Sequence, residues 1–217
     1  MPRMSRRKLL ASLSLAPLGL ALTGRAAASD DPPAAAKRVW AEPKGTYASR
    51  NYPNVEVVSH QGVKFHFYDD LIKDKMVLIN FFYAQCKEFC PPMTANLVKV
   101  QERLGERLGR DIFMYSLTLD PRHDTPEVLH HYSMMYGTKP GWSFLTGKPE
   151  NLEALRIKLG FRDLDPVEDA DRSNHTGVIL YGNDKLNRWS ACPALANIDE
   201  IMRQISYLDP GPHKPFV

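Results

Sequence analysis

Cysteine is scarce in this chain, with three residues among 217. Three cannot staple a small disulfide scaffold, which needs several paired bridges. Long uninterrupted apolar runs are absent as well. The run Leu9–Leu22 is broken by Ser12, Ser14 and Pro17 and falls short of the ~20 apolar residues of a comfortable membrane span. Basic charge is not in excess. Lys and Arg total 28 against 25 acids, a formal net of +3. Arg3, Arg6, Arg7, Lys8 and Arg25 all lie in residues 1–28, which hold no acid; the remainder has 23 basic groups against 25 acidic ones, a net of −2. A folded domain of that balance does not offer the basic patch that nucleic-acid binding requires. No internal repeat is visible, which excludes solenoid architectures.

The first residues have a basic start, an apolar middle and small residues at Ala26, Ala27 and Ala28. This is the anatomy of a cleavable export signal. Arg6 and Arg7, within Ser5-Arg6-Arg7-Lys8-Leu9-Leu10, resemble a twin-arginine signal. The expected organisation is an export signal at 1–28, a linker at 29–50 opening with the Pro/Ala stretch Ser29–Ala36, and one domain at 51–217. A periplasmic location follows, with no stable membrane span after processing, or with an N-terminal anchor if the signal is retained.

Within the domain, Val55–Ser59 and Val63–Phe67 flank His60-Gln61-Gly62 and read as a hairpin. Asp69–Lys75 reads as a charged loop. Met76–Tyr83 is a continuous apolar run, the pattern of a strand buried on both faces. Met93–Leu108 carries Leu97, Val100, Leu104 and Leu108 at helical spacing. Ile112–Leu119 is the next buried strand. Thr125-Pro126-Glu127 starts a helix, with Thr as cap, Pro in the first turn and Glu at the positive end; Gly137 stops it. Trp142–Leu145 is a short strand and Pro149–Leu159 a helix ended by Gly160. Arg162–Asn174 reads as an acidic loop. Thr176–Tyr181 and Leu186–Ser190 form a hairpin around Gly182-Asn183-Asp184, and a helix over 194–208 closes the chain. Alternating strands and helices predict an α/β fold with a central mixed sheet flanked by helices and an N-terminal β-hairpin. A buried strand that delivers two cysteines to a helix start is the thioredoxin plan.

Cys86-Lys87-Glu88-Phe89-Cys90 carries the chemistry. Side chains four apart on a helix lie about 5–6 Å apart at Cβ, so two sulfurs can share one metal ion. A helix N-terminus stabilises thiolates, and Lys87 adds positive charge beside Cys86. Thioredoxin oxidoreductases space their pair by two residues; here three intervene, which favours chelation while leaving a disulfide possible. A third ligand is expected from a strand that runs antiparallel to the cysteine-bearing one and begins where it ends. His175, just before Thr176, has that place, whereas His60, His66, His123, His130, His131 and His213 do not; His130 and His131 sit mid-helix and read as solvated face or packing. Two thiolates and one imidazole suit Cu(I), and accept Cu(II) with a fourth ligand. Structural zinc would want four protein ligands, and no fourth is evident.

The segments FFYAQCKEFCPPMTANL (81–97), LDPRHDTPEVL (119–129), GWSFLTG (141–147) and SNHTG (173–177) are similar to those of the Sco/SenC copper proteins, which serve assembly of the binuclear copper centre of cytochrome oxidase. They occur in the family's order across nearly all of the domain. The resemblance implies a thioredoxin fold, copper held as Cu(I) and Cu(II) by Cys86, Cys90 and His175, and electron acceptance at the cysteine pair. It implies a copper-receiving partner such as a cytochrome oxidase subunit. Asp120 and Asp124 match the family's acidic motif and are carried over as supports near the site or as helix caps. Lys87 departs from the family's usual Pro after the first cysteine, and the cleavable signal departs from its usual membrane helix.

Two alternatives stay open. A thiol-disulfide reductase would use the same cysteines for attack and resolution, with little need of His175. A thiol peroxidase would want Thr three residues before its reactive Cys, and position 83 is Tyr. Cys192 is unexplained by the resemblance. With Gly182-Asn183-Asp184 as the loop, Tyr181 pairs with Lys185 and Thr176 with Ser190, which carries Cys192 opposite Asn174, beside His175. The competing reading is a free thiol packed as a small hydrophobe under the last helix.

Overall fold

The apolar runs and amphipathic stretches resolve, in a computed structural model that describes residues 44–171 and 177–209, into strands and helices in regular alternation. In chain order these are α1 (Tyr47–Asn51), β1 (Glu56–Ser59), β2 (Lys64–His66), β3 (Met76–Phe82), α2 (Cys90–Leu104), β4 (Ile112–Thr118), α3 (Pro126–Met135), β5 (Trp142–Thr146), α4 (Pro149–Lys158), α5 (Pro166–Ala170), β6 (Val178–Asn183), β7 (Arg188–Pro193) and α6 (Ile198–Ser206). The seven strands form one sheet in the order β2-β1-β5-β4-β3-β6-β7. β3, β4 and β5 run parallel, β1 and β6 are antiparallel to their neighbours in that core, and each edge is closed by a hairpin. No described helix is long and apolar enough to cross a membrane.

All seven residues of β3 are buried, because helices cover both faces and successive side chains point to opposite sides. Leu78 and Phe82 join Met93, Leu97, Leu129, Tyr132 and Ile201 on the face of α2, α3 and α6. Val77, Ile79 and Phe81 join Leu117, Leu152, Leu155 and Phe161 on the face of α4. Asn80 is the polar exception. Its Oδ1 accepts from the Ser116 hydroxyl (2.7 Å), which in turn accepts from Trp142 Nε1 (3.0 Å), so the three central strands share a satisfied polar chain.

The first hairpin, β3, β4, α3 and α4 stand where the sequence puts them. Thr125 caps α3 as expected, its hydroxyl accepting from Val128 N–H (3.3 Å), and Gly137 follows in the left-handed region (φ 62°). Three segments differ. Residues 69–75 are not simply a loop: Phe67–Ile72 form a π-helical turn, closed by Lys73 N–H on Tyr68 O (2.9 Å), and it buries Phe67, Leu71 and Ile72. The acidic stretch after Arg162 contains α5, capped by Asp165 and tied to the buried Arg156 through Asp169 (2.7 Å). The last hairpin has another register. Tyr181 pairs with Ser190 and Ile179 with Cys192, so the turn is Asp184–Asn187 and Cys192 is not opposite Asn174. Gly182 and Asn183 stay in the strand for a physical reason. The Trp189 ring lies over Gly182, where a Cβ would meet it at 2.1 Å, and Asn183 Nδ2 donates to Leu208 O (2.9 Å).

The described residues begin at Lys44, inside the expected linker. Thr46 caps α1, buried Ala48 joins the α4-side core, and Tyr52 packs edge-on against Trp189 at 5.0 Å.

Candidate metal centre

β3 ends at Phe82 and the chain reaches α2 through Tyr83–Phe89. Pro91 and Pro92 fill the first turn of α2, where a missing N–H costs nothing, and this fixes the helix start at Cys90. Only Cys90 is therefore helical. Cys86 lies in the preceding loop, a correction to the expectation that both thiols share one helix face. The loop brings them together all the same: Cys90 N–H donates to Cys86 Sγ at 3.2 Å. Both are buried, both are free thiols, and Phe89, the residue before the helix, offers no side-chain cap. The Cys86 sulfur is the acceptor at the helix start.

The two thiols are electrostatically unlike. Burial pushes Cys86 up, but hydrogen bonds from the Cys90 thiol, the Cys90 and Phe89 N–H groups and the Tyr83 hydroxyl outweigh it and hold Cys86 below the ordinary thiol value. Burial pushes Cys90 well up, reinforced by its bond to Cys86 and by the negative charges of Cys86 and Asp124. Tyr83 is itself raised to about 12, first by burial and then by its bond to Cys86. Lys87 is exposed; hydrogen-bond donors account for the depression.

Asp124 anchors the loop. Its Oδ2 accepts from Ala84 N–H (3.0 Å) and from the Thr118 hydroxyl, while its Oδ1 is buried without a hydrogen-bond partner. Burial raises this carboxyl despite the two donors. It does not cap α3, which Thr125 does. Asp120 accepts from His123 Nδ1 at 2.8 Å. The Asp124–Ala84 and Tyr83–Cys86 links were not evident from spacing; the only signal for Asp124 was its place in the acidic motif.

His175 lies outside the described residues, as does His213. The strand that follows it is described. β6 runs antiparallel to β3 with Ile79 opposite Leu180, so β6 begins at the edge where β3 leaves for Cys86. Cys192 is buried opposite Ile179, shares the apolar cluster of Cys86 and Cys90, and is raised to about 11 by burial. Of the remaining histidines, His66 pairs with Asp70, and His60 stacks on His130. Among the described residues no group of three His, Cys, Asp or Glu side chains is assembled for a metal. What they provide is a dithiol: a nucleophilic sulfur poised beside a protonated one, and able to bind a soft cation on release of the second proton.

Comparison with known proteins gives a consistent result. The SCO1/SenC family model matches residues 47–208. The SCO1 protein homolog of Bacillus subtilis (strain 168) is 33% identical over 116 residues, 52% of this chain and 60% of that protein; the match spans less than two thirds of that relative's length. The structure of Bradyrhizobium japonicum ScoI with copper bound aligns with TM-score 0.54 and 20% identity, over 71% of this chain and 95% of that one. BsSco, described with a disulfide switch and as a member of the Sco family of cytochrome c oxidase assembly proteins, aligns with TM-score 0.57 and 23% identity, over 71% and 92%. At such identities the structures show the fold, which is thioredoxin-like as expected.

Proposed function

The chain belongs to the SCO1/SenC family, and we propose that it is a copper-binding metallochaperone that holds the ion through Cys86, Cys90 and His175 and hands it to a copper protein such as a cytochrome oxidase subunit. One observation carries this reading: Cys90 N–H lies on Cys86 Sγ (3.2 Å) at a helix start, at the sheet edge where β6 begins. Two soft sulfurs and an imidazole match copper in both oxidation states. Copper is cargo here, and three ligands leave a position open for transfer. The copper-bound ScoI structure supports the assignment. The same reading takes residues 1–28 as an export signal, followed by a linker that ends before α1, since Ala48 already packs in the core, and puts the domain in the periplasm.

Anaerobic Cu(I) titration of the mature domain against a competing chelator tests it, with mass spectrometry for stoichiometry. One copper per chain is expected. Cys86→Ser or Cys90→Ser abolishes tight binding, and His175→Ala weakens it and strips most of the Cu(II)–thiolate absorption. Unchanged affinity in Cys86→Ser overturns the proposal.

The split between a lowered Cys86 and a raised Cys90 also favours a second reading, a thiol-disulfide reductase in which Cys86 attacks a target disulfide and Cys90 resolves it. Reduction of a model disulfide that survives His175→Ala unchanged, with no copper retained by the wild type, selects it.

A further inference from the structure

Helix α3 has two faces of different character. Leu129, Tyr132 and Ser133 are buried. Tyr132 packs on Phe82 (5.1 Å), and its hydroxyl bonds Thr94 (2.9 Å), one turn beyond Cys90 in α2. The opposite face presents His130, His131, Met134 and Met135, all exposed. The methionines are 68% and 72% exposed. Such positions ordinarily carry Glu, Lys or Gln, and a thioether in water buries no apolar surface. Packing therefore gives no reason for two adjacent methionines here.

We propose that His131, Met134 and Met135 form a soft-metal site on the outer face of α3 that takes one Cu(I) ion independently of the cysteine pair. The argument begins with helical spacing. Met134 and Met135 follow His131 by three and four residues, the two separations at which side chains are surface neighbours, about 5–6 Å apart at Cβ. Helical Cβ bonds tilt toward the N-terminus, and long side chains lie over the preceding turn. Both thioethers thus lean back onto the turn that carries His131. His130 is turned to other work: its ring stacks on His60 at 6.1 Å and 18°, and His60 is fixed by accepting from Phe144 N–H at Nδ1 (3.2 Å).

The donor set selects the ion. Two neutral thioethers are soft ligands that favour Cu(I), and an imidazole suits copper beside them; Zn(II) takes imidazole with thiolate or carboxylate rather than thioether, and the hard divalent cations want oxygen. The site has no thiolate, so it binds more weakly and more reversibly than a cysteine pair. Its position gives it a use. It stands about one helix thickness, 10–12 Å, from the layer in which Tyr132 and Thr94 connect α3 to the helix of Cys90, as a landing place for copper on the same domain as the thiols.

The test uses the full chain with Cys86→Ser and Cys90→Ser, so the thiol pair cannot mask it. Methionine methyls are labelled with 13C, and Ag(I) serves as the redox-silent probe for Cu(I). The Met134 and Met135 signals, assigned by Met134→Leu and Met135→Leu, are expected to shift together and saturate at one equivalent, with the His131 ring. Zn(II) at the same concentration leaves the methyls unmoved. Either Leu variant lowers Ag(I) affinity at least about tenfold, roughly 1.4 kcal/mol; both sites are exposed, so the fold by circular dichroism is unchanged. Methyl signals that stay put at one equivalent of Ag(I), or an Ag(I) affinity indifferent to the Leu variants, overturn the proposal. Neither result touches the cysteine site, whose copper stoichiometry is read separately in the protein that keeps its thiols.

Discussion

Asp124→Ala tests whether the cysteine loop is held by one carboxylate. Oδ2 of Asp124 accepts from Ala84 N–H and from the Thr118 hydroxyl, and Thr118 is fully buried. Removing the carboxylate leaves both donors unsatisfied, at about 1–3 kcal/mol each, so a loss of ~2–6 kcal/mol is expected. Asp124→Asn keeps an oxygen for both bonds and places nitrogen where Oδ1 now has no partner; its cost at pH 7 is smaller. The pH dependence has a definite sign. Burial raises the folded Asp124 above its ordinary value of 3.8, so the folded state holds this proton more tightly than the unfolded chain. The wild type therefore loses stability relative to Asp124→Asn as pH rises from the unfolded value through the folded one. Below that window the difference is constant, and other carboxyls cancel between the two proteins. Urea unfolding of the reduced, metal-free proteins across that range reads both effects as shifts in midpoint at unchanged slope. A loss under about 1 kcal/mol for Asp124→Ala refutes the anchoring role. A wild type that gains on Asp124→Asn with rising pH refutes the burial argument, because the two donors would then outweigh desolvation.

Alkylation of the reduced, metal-free protein should label Cys86 first and below the ordinary thiol range, since its hydrogen bonds lower it, while Cys90 and Cys192 react only on unfolding; peptide mapping that finds equal labelling contradicts this. Mild oxidation should join Cys86 to Cys90 and leave Cys192 free, because Cys192 sits opposite Ile179 in the core; a Cys192 bridge in the mass spectrum would overturn it, and copper loading of the bridged form should be lost. Gly182→Ala forces a Cβ into the Trp189 ring and should cost about 1–3 kcal/mol by chemical denaturation, with copper affinity unchanged. Replacing Arg6 and Arg7 by Lys should hold precursor in the cytoplasm; normal export would show the pair to be incidental.

What the sequence displayed depended on how local each signal was. β3 was legible because six of its seven residues are apolar, broken only by Asn80, and such a run admits few other structures, and α3 because Thr125 and Pro126 carry its cap in two positions. The π-turn was not, since Asp69, Asp70, Lys73 and Asp74 mask the spacing of Phe67, Leu71 and Ile72. The last hairpin misled because Gly182-Asn183-Asp184 has turn composition. Its glycine is there for the Trp189 ring. Asn183 and Asp184 are buried acceptors and donors, Asp184 receiving the Thr46 hydroxyl and Asp74 N–H. Those partners lie far away in the chain. At the site, the cysteine pair was evident from spacing, but its placement was misread: Pro91 and Pro92 already marked where the helix begins. The Asp124–Ala84 bond joins residues 40 apart and no pattern announces it.

The relation between Cys86 and the start of α2 links the fold to the chemistry. A helix start without a Ser, Thr, Asp or Asn cap leaves N–H groups to be satisfied. Here Phe89 supplies no cap, and the Cys86 sulfur accepts from Cys90 N–H instead. The dependence runs both ways. The positive end of the helix stabilises a thiolate at Cys86, and that thiolate caps the helix. A disulfide between Cys86 and Cys90 removes the negative charge from this position and with it the stronger, charge-assisted form of the cap. The helix start therefore favours the reduced pair over the oxidised one, as stabilisation of a thiolate does in thiol–disulfide couples generally. A soft cation bound by both sulfurs takes the thiolate as its ligand and leaves the Cys90 N–H facing a negatively polarised atom. The same local geometry that makes Cys86 reactive thus favours the dithiol over the disulfide.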